Sequence, residues 1–364
     1  HHYTEKVCLI QISDRERDYI VDPLAGFSLE PLNELMSDPN VIKVFHGADY
    51  DVVSLKRDFG FEIRGIFDTM IAAQMIERDR VGLADIVGSL FGFHMDKKYQ
   101  TCDWSLRPLT ADQLDYARGD THFLLAVREY FLTRLKRLDR LEIAEEEFAL
   151  VEDRVWTQKL DKATAFLRVK RASKLDDDGK RTLRCLWEMR DGHSERLDRP
   201  PYKVVPDQVL LKLAETRPQD RDGLMRIIRA KSSMARRFGD DLLTALLAAN
   251  DDDRPIPKAP TKERVGTPAR HGSRETERLL TQLKDWRKRV LKRDKIPMVL
   301  VLSNSQLKAI AGFRPLTQEE LEGLEELRSW QVELYSAELL ELMHTFEAGV
   351  SDEPTGRGRR RSRR

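Results

Sequence analysis

Two short stretches place acidic side chains where a folded chain could do chemistry. In Val44-Phe45-His46-Gly47-Ala48-Asp49-Tyr50-Asp51 a β-prone run ends at His46 and Gly47 allows a tight turn. A helix is then expected to begin, with Asp49 and Asp51 near its start. Carboxylates just beyond the carboxyl end of a strand lie where open α/β sheets bind ligands. The helix dipole alone also favours Asp in a first turn, and that is the reading we take for Asp49. In Tyr116-Ala117-Arg118-Gly119-Asp120, Tyr116 and Asp120 are four apart and share a helix face. On spacing alone such residues are most often a surface pair. If Asp120 holds a divalent cation, the Tyr116 hydroxyl could touch the same water and orient it as a nucleophile.

The elements around these residues alternate. Val7–Ile12 and Tyr19–Asp22 are β-rich runs about a turn-prone Ser13–Asp18, a predicted hairpin. Phe27–Met36 has helical spacing and is stopped by Asp38-Pro39-Asn40. A strand over Val41–His46 and a helix through Asp58 follow, then a strand over Ile63–Asp68 running into a helix at Thr69–Arg78. From Leu83 onward the pattern is helical except for a long loop at Asp96–Pro108. This is a mixed α/β domain with helices against a sheet. From about Glu145 the strand signal disappears.

A chain of 364 residues, 40% hydrophobic and 34% charged, has room for two or three domains. Cys8, Cys102 and Cys185 are too few and too scattered for a disulfide framework or a cysteine zinc site, which points to a reducing compartment. No run approaches 18 uncharged apolar residues and no signal peptide is read, so a membrane span is excluded. The net charge of +1 hides a gradient: residues 1–150 carry 18 basic and 27 acidic side chains, and residues 151–364 carry 45 and 35. A basic half is an electrostatic footprint for a polyanion, and an acidic half suits a site that recruits cations.

The helical half repeats. At a fixed offset of 97 residues, Leu183, Leu186, Arg190 and Pro200 fall on Leu280, Leu283, Arg287 and Pro297. The register continues with Leu210, Ala214, Arg217, Pro218 and Leu224 on Leu307, Ala311, Arg314, Pro315 and Leu321. The expected organisation is therefore an α/β domain at 1–145 and a helical connector at 146–177. A first helical domain at 178–250, a proline- and glycine-bearing linker at 251–275 and a second copy at 276–348 follow. An arginine-rich disordered tail occupies 349–364.

Together these residues resemble a known family. His46-Gly47-Ala48-Asp49-Tyr50-Asp51, Phe67-Asp68-Thr69, Asp103-Trp104 with Arg107-Pro108-Leu109, and Tyr116 through Asp120 into Leu125 are similar to ribonuclease D, the tyrosine branch of the DEDD 3′→5′ exonucleases. The repeated units resemble the helicase-and-ribonuclease-D C-terminal domain. The resemblance implies a ribonuclease H-like mixed sheet followed by two small all-α domains. It implies hydrolysis of RNA from the 3′ end to 5′-mononucleotides, as in maturation of transfer RNA precursors or other structured RNA. It also implies two divalent cations, Mg²⁺ or Mn²⁺, with Asp51 and Asp120 as metal ligands and Tyr116 positioning the attacking water. His46, Lys97, Lys98 and Trp104 are the expected substrate contacts. The family's other two ligands form an Asp-x-Glu on its first strand, and no such triplet precedes Val7; Asp14-Arg15-Glu16 falls in the hairpin turn. The expectation is a natural enzyme whose first strand is missing from this chain, which by itself would show little or no activity.

Between the copies, Arg226, Arg229, Arg236 and Arg237 become Gly323, Glu326, Glu333 and Leu334, and only Lys231 keeps its charge, as Arg328. The first copy is thus the expected RNA grip, and the second works by packing, by shaping a cleft around the substrate, or by contacting a partner. The alternatives are a DNA 3′→5′ exonuclease and a non-catalytic nucleic-acid-binding protein. A cytoplasmic monomer with RNA as partner completes the expectation.

Overall fold

The computed structural model describes residues 2–76, 80–157, 161–229, 232–257 and 273–351. Lys231, most of the expected linker and nearly all of the arginine-rich tail lie outside the described residues.

The first unit holds β1 (Ile10–Ser13), β2 (Asp18–Val21), α1 (Glu30–Ser37), β3 (Lys43–Phe45), α2 (Asp49–Phe59), β4 (Ile66–Asp68), α3 (Thr69–Met75), α4 (Leu83–Phe91), α5 (Ala111–His122), α6 (Leu124–Arg137) and α7 (Leu141–Glu152). The expected mixture of strand directions is present. β1 and β2 are an antiparallel hairpin with Ile10 opposite Val21, while β3 and β4 run parallel with Phe45 opposite Asp68. Among the described residues the two pairs share no ladder. The strands are shorter than their β-prone runs because pairing ends where partners end, although side chains such as Ile63 stay fully buried.

α7 crosses the boundary expected at 145. Its Phe148 is buried against Phe67 of β4, with ring centroids 4.8 Å apart, so this helix belongs to the first core. Glu152 at its end accepts from the Ile66 amide at 2.8 Å, and Lys56 of α2 donates to the Glu152 carbonyl.

The first helical copy comprises α8 (Asp177–Arg196), α9 (Pro201–Val204), α10 (Asp207–Thr216), α11 (Arg221–Ile228) and α12 (Ser233–Ala248). Its core begins earlier than the expected 178, because Phe166, Val169 and Ala172 are buried in it. Past α12, buried Arg184 holds Asp252 in an ion pair at 2.8 Å and donates to the carbonyls of Arg254 and Pro255. The second copy comprises α13 (Ser273–Asp294), α14 (Asn304–Phe313), α15 (Gln318–Glu322) and α16 (Ser329–Ser351).

Matching residues of the copies do the same work. Arg190 donates to the Val205 carbonyl at 3.0 Å and to Asp207, and Arg287 donates to the Leu302 carbonyl at 2.7 Å and to Asn304. Arg217 and Arg314 each end a helix at positive φ (47° and 58°), with amide bonds of 2.8 Å back to Leu213 and Ile310.

The copies differ in what they touch. Side chains of the second copy, among them Leu307, Trp330 and Tyr335, form one continuous core with the first unit, whereas the first copy has a core of its own. Arg328 pairs with Glu147 of α7 at 3.0 Å, and the Ser329 amide donates to Glu146 at 3.0 Å. Both side chains of the Arg328–Glu147 pair are about three-quarters covered, so Arg328→Glu should cost roughly 1–2 kcal/mol. Combining it with Glu147→Arg should restore part of that loss, a coupling that thermal unfolding of the four proteins measures.

Candidate active site

The site is built where β3 and β4 end side by side. Asp68 closes β4 and caps α3, its carboxylate accepting from the amides of Met70 (2.8 Å) and Ile71 (3.3 Å). Across the parallel pair the same carboxylate accepts from Gly47 (3.0 Å) and Ala48 (2.7 Å). It is 1% exposed. One buried carboxylate therefore fixes the turn between β3 and α2. Gly47 sits in that turn at φ +75°, and a Cβ there would come within 3.0 Å of the Met70 terminal methyl.

That turn delivers Asp51 in the first turn of α2. Its side chain keeps an open face to solvent, while surrounding protein desolvates the carboxyl. Asp51 is pushed up to about 6, by desolvation first and then by Asp68 and Asp120. Asp120, half-buried on α5, is likewise pushed up to about 6 by desolvation. The structure thus brings together the two carboxylates that sequence placed 69 positions apart. Asp120 thus adds to what disfavours charge on Asp51. Asp49 supplies no side-chain cap; it pairs with Arg154 at 3.1 Å on the surface.

α5 is started by a capping box between Thr110 and Gln113. Its far end is pinned to the hairpin by Ser13–Thr121 (2.7 Å) and Asp18–His122 (3.0 Å). Tyr116 lies one turn before Asp120. Burial first, and Asp120 next, raise its hydroxyl above the usual tyrosine range, so it stays protonated at neutral pH. Its ring sits 5.9 Å from Trp104 and 6.0 Å from Tyr99. Trp104 is held by Arg107, which donates to its carbonyl at 2.8 Å while gripping Asp22 and the Cys8 carbonyl. The neighbouring lysines separate: Lys98 lies 3.6 Å from Asp112 and 4.9 Å from the Tyr99 ring centroid, while Lys97 is exposed.

His46 follows β3 directly and is half-buried, 3.0 Å from the Thr69 hydroxyl through Nδ1. That hydroxyl donates to the Phe45 carbonyl at 2.8 Å, so it accepts from His46 and the proton is assigned to Nδ1. Burial lowers the His46 pKa and keeps the ring neutral, with Nε2 available as an acceptor. Sequence reasoning singled out His46, Trp104, Tyr116 and both aspartates but missed Asp68 as the organiser and Tyr99 as the second ring. The Phe67-Asp68-Thr69 motif carried the first signal; nothing local carried the second.

Away from this site, Arg226, Arg229, Arg236 and Arg237 are all exposed around the turn between α11 and α12. The corresponding stretch of the second copy, Arg328–Ser329, is the one seated on α7.

Residues 1–136 match the family described as 3′-5′ exonuclease, and residues 180–246 and 276–343 each match the HRDC domain. The chain is 32% identical over 288 residues to the exosome complex exonuclease RRP6 of Saccharomyces cerevisiae, covering 72% of this chain and 39% of that protein. It is 33% identical over 269 residues to a ribonuclease D of Granulibacter bethesdensis, covering 72% of this chain and 67% of that protein. Both relatives are longer than the part this chain spans. The crystal structure of Escherichia coli RNase D, titled an exoribonuclease involved in structured RNA processing, superposes with a TM-score of 0.65. That match covers 94% of this chain and 90% of the other at 22% identity, a likeness of fold.

Proposed function

We propose that the natural protein of this chain, which belongs to the ribonuclease D family, acts as a 3′→5′ exoribonuclease that hydrolyses RNA to 5′-mononucleotides and trims transfer RNA precursors or other structured RNA. The observation that carries this reading is the Asp51–Asp120 pair, both carboxyls desolvated and raised, with Tyr116 one turn from Asp120 and Trp104 beside it.

The family depends on divalent metal. The donor chemistry here fits such an ion: two hard carboxylates whose charges are costly without a cation. We assign Asp51 and Asp120 as ligands for Mg²⁺ or Mn²⁺ in a two-ion site. Among the described residues no group of three or more His, Cys, Asp and Glu gathers. Mg²⁺ commonly uses one or two carboxylates, with water and substrate phosphate filling other positions. A bound cation of this kind supplies hydroxide near neutral pH and offsets the charge at the scissile phosphate. Tyr116, protonated, is assigned to orient the attacking water. Trp104 and Tyr99 offer ring faces to the terminal bases, His46 offers Nε2 to the sugar or base edge, and Lys97 and Lys98 lie on the same loop for phosphate.

The exposed arginines of the first helical copy are assigned to the RNA backbone. Changing both Arg236 and Arg237 to Glu should lower RNA affinity roughly 10–100-fold at low salt and flatten the logarithmic salt slope by about 2. Equal losses from changes at Glu333 and Leu334 of the second copy would refute that assignment.

The overall reading is tested with 5′-labelled RNA and matched DNA, each incubated with the natural protein in Mg²⁺ or in chelator. Shortening of RNA from the 3′ end, abolished by chelator, is the expected result. Preference for DNA, or cleavage inside the strand, would overturn it.

A further inference from the structure

The N-terminal segment links two parts of the molecule that sequence places far apart. His2 Nδ1 lies 2.6 Å from Asp198, just past the end of α8, and the Tyr3 amide donates to the other oxygen of Asp198 at 3.1 Å. The Tyr3 hydroxyl donates to Asp191 of α8 at 2.8 Å. Lys162 closes around this contact, 3.2 Å from Asp191, 3.7 Å from Glu195 and 5.7 Å from the Tyr3 ring centroid. The other side of His2 faces the active-site loop. Nε2 lies 2.7 Å from the Ser105 hydroxyl and 3.5 Å from Asp103. Ser105 donates its hydroxyl to Asp103 at 2.6 Å. Between Asp103 and Ser105 stands Trp104, the ring packed beside Tyr116.

We propose that His2 and Tyr3 form a strap through which the first helical copy positions the Trp104 loop, so that engagement of that copy by RNA is transmitted to the ring beside Tyr116. The geometry favours a mechanical link. Both ring nitrogens of one histidine are used, one on each side, and hydrogen bonds to carboxylates are the stronger kind. Leu106 of this loop is 64% exposed, and the Arg107 clamp holds the loop from the hairpin side. His2 and Tyr3 are positioning residues in this scheme, acting through Asp103 and Ser105. Asp198 lies at φ 45°, a conformation that Asn tolerates, so Asp198→Asn removes charge without imposing backbone strain.

The test is amide hydrogen exchange on the full chain, comparing wild type with His2→Ala, Asp198→Asn and Tyr3→Phe. Without RNA, the amides of residues 103–106 should exchange about tenfold faster in His2→Ala and Asp198→Asn, with less change in Tyr3→Phe and none in α3. Unchanged exchange in this loop would overturn the strap, and so would acceleration spread uniformly over the molecule. In a second arm, a single-stranded RNA oligonucleotide is added. Slower exchange at 103–106 in wild type, lost in Asp198→Asn at matched occupancy, supports transmission; equal protection in both overturns it. Only this arm rests on the RNA-binding reading. Failure of every protein to bind RNA would sink that reading, while the RNA-free arm still judges the strap.

Discussion

Asp120→Asn is expected to reduce 3′-end trimming by the natural protein by about 10³-fold or more, because a carboxylate assigned to the metal cannot be replaced by a neutral amide of the same shape. The same change should make the protein more stable, and the pH dependence identifies why. Asp51 and Asp120 lie at about 6 in the folded chain, above the value of about 3.9 for an unfolded aspartate. Between those values the folded state keeps protons that the unfolded state has released. Stability from this pair is therefore lost as pH rises from about 4 through about 6, and is level above that. Asparagine carries no charge to desolvate and none for Asp51 to repel. In chelator, the melting temperature of Asp120→Asn should exceed that of wild type at pH 8, and the gap should close near pH 4. Mg²⁺ should raise the wild-type melting temperature more than that of the variant. Retained trimming would remove Asp120 from the site. A gap independent of pH would mean that the stabilisation has some cause other than relief of charge.

What could be read from sequence, and what could not, divides by how far apart the interacting residues lie. The repeat was legible because its anchoring arginines act within one small unit. Arg190 reaches only to residues 205 and 207, and Arg287 to 302 and 304, so a fixed offset preserved both ends of each contact. Tyr116 and Asp120 were legible through helical spacing, and Asp51 through the Gly47 turn. The links between units left no such trace. Arg328 meets Glu147 across 181 positions, and His2 meets Asp198 across 196. Each is an ordinary polar residue with no periodicity to mark it. The packing at the edges of the units was hidden for a related reason. Phe148 and Phe166 lie in stretches whose local pattern reads as a connector, and only packing against Phe67 on one side and the α8 core on the other assigns them. The second copy's loss of arginines did point to a packing role, and the structure supplies the surface it packs on, the acidic side of α7.

Asp68→Ala is expected to be the most damaging single change to the fold around the site. Removing the carboxylate strands four backbone amides at once, those of Gly47, Ala48, Met70 and Ile71, in a place with 1% exposure at the side chain itself. A buried donor left without a partner costs about 1–3 kcal/mol, so partial relaxation still leaves a loss of roughly 4 kcal/mol. For a domain of this size, that corresponds to a fall of about 10 °C in melting temperature. Asp68→Asn keeps one accepting oxygen and should fall between the alanine variant and wild type. Asp49→Ala is the control: two residues from Asp51, it gives up an exposed pair with Arg154 and a first-turn charge, and should change stability by less than about 1 kcal/mol. The activity consequence follows from geometry. Asp68 contacts neither Trp104 nor Tyr116, but it sets the turn from which Asp51 departs, and a shift of about 1 Å at a catalytic group can cost about 10²-fold. Trimming by Asp68→Asn, measured well below its melting temperature, should therefore fall chiefly in kcat. Wild-type kcat in a destabilised but folded Asp68→Asn would show that the β3–α2 turn holds its shape without this carboxylate.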